Sequence, residues 1–190
     1  TNKNQIILFD NLSTYYSLDK NTGKIIWKKK HDTSFNSEIK IYNDKIYVVD
    51  TNNTINCFSL DNGNKIWSYS TKKTFINSNS NLSVVIEDNI VIFSNSVGEI
   101  TALDVENGIL KWKFSTIFSE NFSDILNFVI SPLVISDNNL YFSSNKNQFF
   151  SLDIKTGTIN WKQAITSNLK PIIVDRLIFT ISQKGFLYII

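Results

Sequence analysis

Histidine and cysteine each occur once in these 190 residues, as His31 and Cys57; arginine occurs once, as Arg176, and methionine not at all. A single cysteine excludes an internal disulfide and leaves the redox compartment open. Cys57 falls in a strand-like run, where a thiol reads as a small core hydrophobe. His31 stands beside the run Lys28-Lys29-Lys30 with no evident nucleophile partner, so a catalytic triad has no support, and no zinc-ligand spacing exists. The lysine run, with no glycine-rich loop adjoining it, reads as a solvated strand end rather than a phosphate site. The net charge of +2 is too small to argue for nucleic acid or a membrane surface as partner. No apolar run is long enough to span a bilayer, and neither a signal peptide nor an initiator methionine is present. The expectation is an excised section or a mature form.

Asparagine is the residue in excess. Its 25 copies, with eighteen lysines against one arginine, suggest an AT-rich genome more than any chemistry. Four glycosylation sequons, at Asn11, Asn52, Asn81 and Asn121, match the roughly five that chance supplies in such a composition. They carry no signal.

What the chain has is strand. Runs such as "KIYVVD" (45–50), "NIVIFSN" (89–95), "NLYFSSN" (139–145) and "RLIFTIS" (176–182) are short, rich in β-branched and aromatic residues, and bounded by Asn, Asp, Ser and Gly. Several are apolar at consecutive positions, which predicts strands covered on both faces. No window sustains a 3.6-residue period; only 118–129 has room for a helical turn.

The strands repeat. "SLDIKTGTINWK" (151–162) has counterparts at Ser17, Ser59 and Ala102, and the four tryptophans, Trp27, Trp67, Trp112 and Trp161, are 40, 45 and 49 residues apart. That period suits a four-stranded propeller blade. The predicted fold is all-β, a β-propeller of four-stranded antiparallel blades. Its units are a partial blade at 5–30, full blades at 39–70, 82–115 and 128–164, and a partial blade at 170–190, all in one segment, 1–190. In the fourth unit the innermost strand is expected at 128–135.

Between third and fourth strands, Gly23, Gly108 and Gly157 each follow an aspartate (Asp19, Asp104, Asp153) by four residues. Glycine there fits a position needing φ > 0. The second copy, with Asp61 and Gly63, reads as two residues shorter, closed by Asn62-Gly63 in a type I′ hairpin. Each aspartate reads as a turn former accepting backbone N–H groups; a metal ligand would need converging oxygen partners, which one per blade does not supply. Each tryptophan reads as an inter-blade wedge, rather than a platform for a base or sugar. The triplets at 87–89 and 137–139 read as polar turns between first and second strands rather than parts of a Ca²⁺ cage.

The pattern Leu-Asp-x-x-x-Gly-x-x-x-Trp, preceded by "ISPLVISDNNLYFSS", resembles the pyrroloquinoline-quinone (PQQ) repeat of quinoprotein-like propellers over nearly the whole chain. The resemblance implies eight-bladed rings in which the tryptophan docks neighbouring blades. Three classes share it. Quinoprotein dehydrogenases bind PQQ and Ca²⁺ on the axis; a propeller lipoprotein of the bacterial outer-membrane β-barrel assembly machinery is a non-catalytic scaffold; luminal stress-sensor kinases carry a related repeat. The dehydrogenase features are missing here: an adjacent cysteine pair is impossible, and no tryptophan lies outside the repeat positions. The resemblance therefore implies a scaffold without cofactor, metal or catalytic residues, periplasmic or outer-membrane-associated, meeting a protein partner through its loop faces. A section of a PQQ-dependent dehydrogenase is the alternative, and a luminal sensor region the third.

The return connections, 31–38, 71–81 and 116–127, carry Phe35, Phe75, Ile76, Phe118 and Phe122. These either tuck under the blades or form apolar contact points for a partner. The unit count falls short of the roughly 360 residues of an eight-bladed ring. An interior section of a longer protein, about half a ring, explains that; so does a smaller ring closed by terminal strands, or pairing with a second copy.

Overall fold

The computed structural model describes residues 4–71, 82–116 and 129–190. Within them lie eighteen β-strands and no helix, in two compact units, residues 1–77 and 78–190. The expected helical turn at 118–129, and Phe75, Ile76, Phe118 and Phe122, lie outside the described residues, but for Val129.

In the first unit, β1 (Gln5–Phe9), β2 (Thr14–Asp19) and β3 (Ile25–Lys30) form a three-stranded sheet. A four-stranded sheet follows: β4 (Lys40–Tyr42), β5 (Lys45–Val49), β6 (Thr54–Ser59) and β7 (Lys65–Ser70). The second unit begins with β8 (Val84–Glu87), β9 (Ile90–Ser94), β10 (Glu99–Asp104) and β11 (Leu110–Ser115). A further four-stranded sheet contains β12 (Val134–Ser136), β13 (Asn139–Ser144), β14 (Gln148–Asp153) and β15 (Ile159–Gln163). The last sheet has three strands, β16 (Ile172–Val174), β17 (Leu177–Ile181) and β18 (Leu187–Ile189). Every sheet is an antiparallel meander in chain order.

The consecutive apolar runs are buried on both faces, as their composition requires: β9 is buried at all five positions and β5 at four of five. The innermost strand of the fourth sheet is shorter than the sequence suggested. It covers Val134–Ser136, and Ile130 makes only an isolated bridge to Ser144. Pro132, lacking an N–H, cannot carry a ladder through the segment between them.

Short polar turns set the register. First and second strands are joined through Asn43-Asp44, Asp88-Asn89 and Asp137-Asn138, each residue at positive φ. Two such residues in a two-residue loop are the type I′ signature, so the triplets at 87–89 and 137–139 are hairpin turns.

Each unit has its own core. In the first, Tyr15 and Trp27 pack with Ile46, Val48, Phe58 and Leu60. Phe35, from the 31–38 connection, lies edge-on to Phe9, Tyr15 and Phe58, with centroids 4.5, 5.9 and 6.2 Å away; of the connection aromatics it is the one described, and it tucks under the sheets. In the second unit, Ile92, Ile100 and Trp112 of the third sheet meet Phe142, Phe150 and Leu152 of the fourth. Phe149 and Ile165 pack with Ile178 of the last sheet.

Candidate functional site

The most elaborate recurring chemistry lies where third strand turns into fourth. In all four complete copies the same two backbone bonds close the turn. Gly23, Gly63, Gly108 and Gly157 donate N–H to the carbonyls of Asp19, Ser59, Asp104 and Asp153, at 2.8–2.9 Å. Those four residues in turn donate to Lys24, Asn64, Ile109 and Thr158. All four glycines sit at φ between 69° and 72°.

The second copy is therefore not shortened, and it is no type I′ hairpin. Gly63 has positive φ but Asn62 does not, and the type needs both. Cys57 pairs with Trp67 just as Ser17, Ala102 and Ser151 pair with Trp27, Trp112 and Trp161. Ser59 thus occupies the aspartate position, and Asp61 stands where Asn21 does in the first copy.

At the head of the turn the aspartates accept local donors. Asp19 Oδ1 takes the N–H groups of Asn21 (3.1 Å) and Thr22 (2.7 Å) and the Thr22 hydroxyl (2.8 Å). Asp153 repeats this with Lys155 and Thr156. These bonds favour the ionised form: the Thr22 hydroxyl and N–H hold Asp19, and the Thr156 N–H and hydroxyl hold Asp153, below the ordinary carboxylate value. For Asp104, burial acts upward, but the Glu106 N–H (3.0 Å) and the Lys111 ammonium (3.3 Å) outweigh it and leave the group lowered. The residue before each glycine contributes as well. Asn62 Oδ1 and Asn107 Oδ1 each accept the N–H two residues on at 2.9 Å, and the hydroxyls of Thr22 and Thr156 do so at 3.4 and 3.3 Å.

Two tryptophans close on such turns. In the first unit the Trp27 indole N–H donates to the Leu60 carbonyl (3.1 Å), and a Cβ at Gly63 would stand 2.8 Å from the ring. The Tyr15 hydroxyl donates to the Gly63 carbonyl (2.9 Å); burial of that ring raises the phenol pKa to about 12. In the second unit Trp112 donates to the Ile154 carbonyl (2.8 Å), and a Cβ at Gly157 would meet its ring at 2.5 Å. Glycine is required there by φ and by the neighbour's approach. Trp67 lies 5.9 Å from the Tyr47 ring, and Trp161 stacks on Phe149 at 5.9 Å. At Gly23 an added Cβ would meet nothing within 4 Å.

A second set of turns, between second and third strands, is one the sequence reading passed over. Asp10 and Asn95 each accept two backbone N–H groups through Oδ1, at 2.8–3.1 Å. Asp50 does the same for Asn52 (2.9 Å) and Thr54 (3.1 Å), and its other oxygen takes Asn56 Nδ2 (3.2 Å) and pairs with His31 Nε2 (3.3 Å). Both side chains of that pair are under a tenth exposed. Burial pushes the Asp50 carboxyl up, but His31, Thr54 and Asn56 together bring it below the ordinary value. The imidazole also stacks on Phe35 (5.0 Å). His31 and Asp50, nineteen residues apart, thus tie the 31–38 connection to the β5–β6 turn. The signal available in the sequence was an aspartate or asparagine ending the second strand, at Asp10, Asp50 and Asn95.

Successive antiparallel meanders, with a tryptophan of one sheet closing, inside each unit, on a glycine turn of the next, define a β-propeller of the PQQ-repeat class. A family model described as outer membrane protein assembly factor BamB matches residues 4–190, and the chain belongs to that family. Comparison with curated proteins gives no match. Among solved structures, BamB from Moraxella catarrhalis superposes with a TM-score of 0.81 at 20% identity, over 97% of this chain and 57% of that one. Quinohemoprotein alcohol dehydrogenase from Comamonas testosteroni gives 0.67 at 15% identity, over 98% and 39%. Quinohemoprotein alcohol dehydrogenase ADHIIG from Pseudomonas putida HK5 gives 0.73 at 14%, over 98% and 39%. This chain thus spans little more than half the length of the Moraxella protein.

The described residues do not fit a quinone site. All four tryptophans are in the outermost strands β3, β7, β11 and β15, two of them closed on glycine turns, and Cys57 is buried in β6. Among the described residues no three His, Cys, Asp or Glu side chains converge as metal ligands. No helix in the described residues is long and apolar enough to cross a membrane.

Proposed function

We propose that this chain is part of a non-catalytic protein-interaction scaffold serving outer-membrane protein assembly, as a periplasmic or outer-membrane-associated lipoprotein. The observation that carries the reading is the family match over residues 4–190. The geometry supports it: the recurring aspartates are occupied with turn N–H groups, and the only histidine is bound to a buried carboxylate. In this reading the units at 5–30, 39–70, 82–115, 128–164 and 170–190 supply about half of an eight-bladed ring. Trp27, Trp67, Trp112 and Trp161 dock successive blades, the turns at Asp19–Gly23, Asp61–Gly63, Asp104–Gly108 and Asp153–Gly157 receive them, and loop faces meet the protein partner.

A second reading, a section of a PQQ-dependent dehydrogenase, draws on the likeness to the two quinohemoproteins. The two separate in one experiment on the complete protein purified from its source. A scaffold co-purifies with outer-membrane β-barrel assembly factors and leaves dye-linked alcohol or sugar oxidation at background when PQQ and Ca²⁺ are added. Quinone-dependent oxidation overturns it.

A further inference from the structure

Strand β3 is an edge: its sheet runs β1-β2-β3 and stops there. Its sequence, "IIWKKK", sets three consecutive lysines after an apolar pair. The backbone direction follows from one bond. His31 N–H donates to the Ser13 carbonyl (2.8 Å), and backbone direction alternates along a strand. Lys29 and Trp27 therefore face β2, while Lys28 and Lys30, paired with Tyr16 and Thr14, present N–H and C=O outward. A strand laid along this edge finds a row of free donors and acceptors.

Charge selects the strand. On β11 the lysines are already neutralised, Lys111 by Asp104 (3.3 Å) and Lys113 by Glu99 (3.2 Å). On β3, among the described residues, no carboxylate pairs with Lys28, Lys29 or Lys30. Lys28 instead lies over the Tyr16 ring (5.4 Å), whose hydroxyl donates to Asp10 (3.0 Å). Ile25 and Ile26 beside them are 58% and 47% exposed, which leaves apolar contact for alternate side chains of an added strand. Among the described residues no strand pairs with this edge.

We infer that the β3 edge takes an extended acidic segment of a partner protein as an added strand, with carboxylates paired to Lys28 and Lys30 and apolar side chains on Ile25 and Ile26. Single-stranded nucleic acid shares the negative charge but offers no strand-forming backbone and none of the apolar side chains the isoleucines call for. The inference deepens the scaffold reading and rests on it for its purpose.

The test is fluorescence anisotropy on the intact chain, with a labelled peptide of alternating glutamate and valine as probe. Binding is expected, weakened by salt, and reduced about tenfold in the double variant Lys28→Glu/Lys30→Glu, each exposed pair contributing modestly. The same peptide N-methylated at alternate residues keeps its charge but cannot form the ladder, and should lose binding to the unaltered chain. That arm needs no protein variant, so it stands even if the double variant misfolds. Absence of binding, equal binding of the N-methylated peptide, equal binding by a folded double variant, or equal affinity for oligothymidylate each overturns the inference. If the peptide fails but assembly factors still co-purify, only this inference falls. If the peptide binds a protein that also oxidises alcohols through PQQ, the scaffold reading falls and the edge remains.

Discussion

Gly63 and Gly23 occupy the same turn position in the same unit, at φ 71° and 69°, and differ in what stands over them. At Gly23 an added Cβ meets nothing within 4 Å; at Gly63 it meets the Trp27 ring at 2.8 and 2.9 Å and Lys29 Cγ at 3.1 Å. Replacing either by alanine costs left-handed strain, about 1–2 kcal/mol, partly offset by about 0.4–1 from the stiffer unfolded chain. Gly23→Ala should therefore lose about 1 kcal/mol. Gly63→Ala must in addition displace a buried indole. Overpacking of that kind costs about 1–3 kcal/mol, and loss of the Trp27-to-Leu60 hydrogen bond about 1 more, for a total near 3–5 kcal/mol. Urea denaturation followed by tryptophan fluorescence and circular dichroism measures both. A cycle completes the argument. Trp27→Ala alone should cost about 3–5 kcal/mol, and in its background Gly63→Ala should fall toward the Gly23 value, about 1 kcal/mol, since the ring clash is gone and the remaining neighbour, Lys29 Cγ at 3.1 Å, belongs to a flexible side chain. If Gly63→Ala and Gly23→Ala cost the same, or if the cycle shows no coupling, the closure of Trp27 on this turn is not what demands glycine.

Ser17 and Ser151 sit opposite Trp27 and Trp161, buried, with hydroxyls that have no hydrogen-bond partner. Cys57 and Ala102 hold the same place in the other two sheets. Ser151→Ala should therefore stabilise the chain by about 1 kcal/mol in urea; a loss would mean that the hydroxyl has a partner. Asp50→Asn should cost about 2 kcal/mol near neutral pH, because a buried acceptor of charge-assisted bonds becomes a neutral amide. The folded-state pKa of Asp50 lies below the ordinary 3.8, so its contribution is complete above that value and disappears as pH falls through the folded-state value. Melts of the two proteins across the acid range should converge at the low end, and a constant gap would refute the ionised carboxylate as the source.

The fold was legible because its signals were local. Strand composition, polar turns and evenly spaced tryptophans each required only a short window. The second turn was misread for an instructive reason. "SLD" at 59–61 matches the first and fourth copies letter for letter but stands two residues out of register. The spacing from glycine to tryptophan is four residues in all four copies, and it gives the alignment that the strand pairing follows. The His31–Asp50 pair was not legible, since it depends on a connection folding back over a turn nineteen residues away. The extent of the first strand in the fourth sheet was overestimated because hydropathy continued through Pro132 where the ladder could not.

The second turn also separates what the repeat requires from what it merely uses. With Ser59 in the aspartate position the turn keeps the same backbone bonds and the same glycine φ, so the carboxylate is dispensable to its geometry. Common to the four copies are the glycine, the tryptophan four residues on, and a side-chain oxygen just before the glycine. The first cannot carry a side chain, the last is spent on the N–H two residues on, and Trp27 and Trp112 are closed on neighbouring turns. In the proposed scaffold, recognition then falls to features that differ from sheet to sheet. The unneutralised lysines of β3 are such a feature, for the β11 lysines at Lys111 and Lys113 have partners within their own sheet. In the proposed scaffold, a repeat that commits its chemistry to stacking thus leaves partner choice to its edges and connections, and among the described residues the β3 edge sets three consecutive lysines without a carboxylate partner beside free backbone groups.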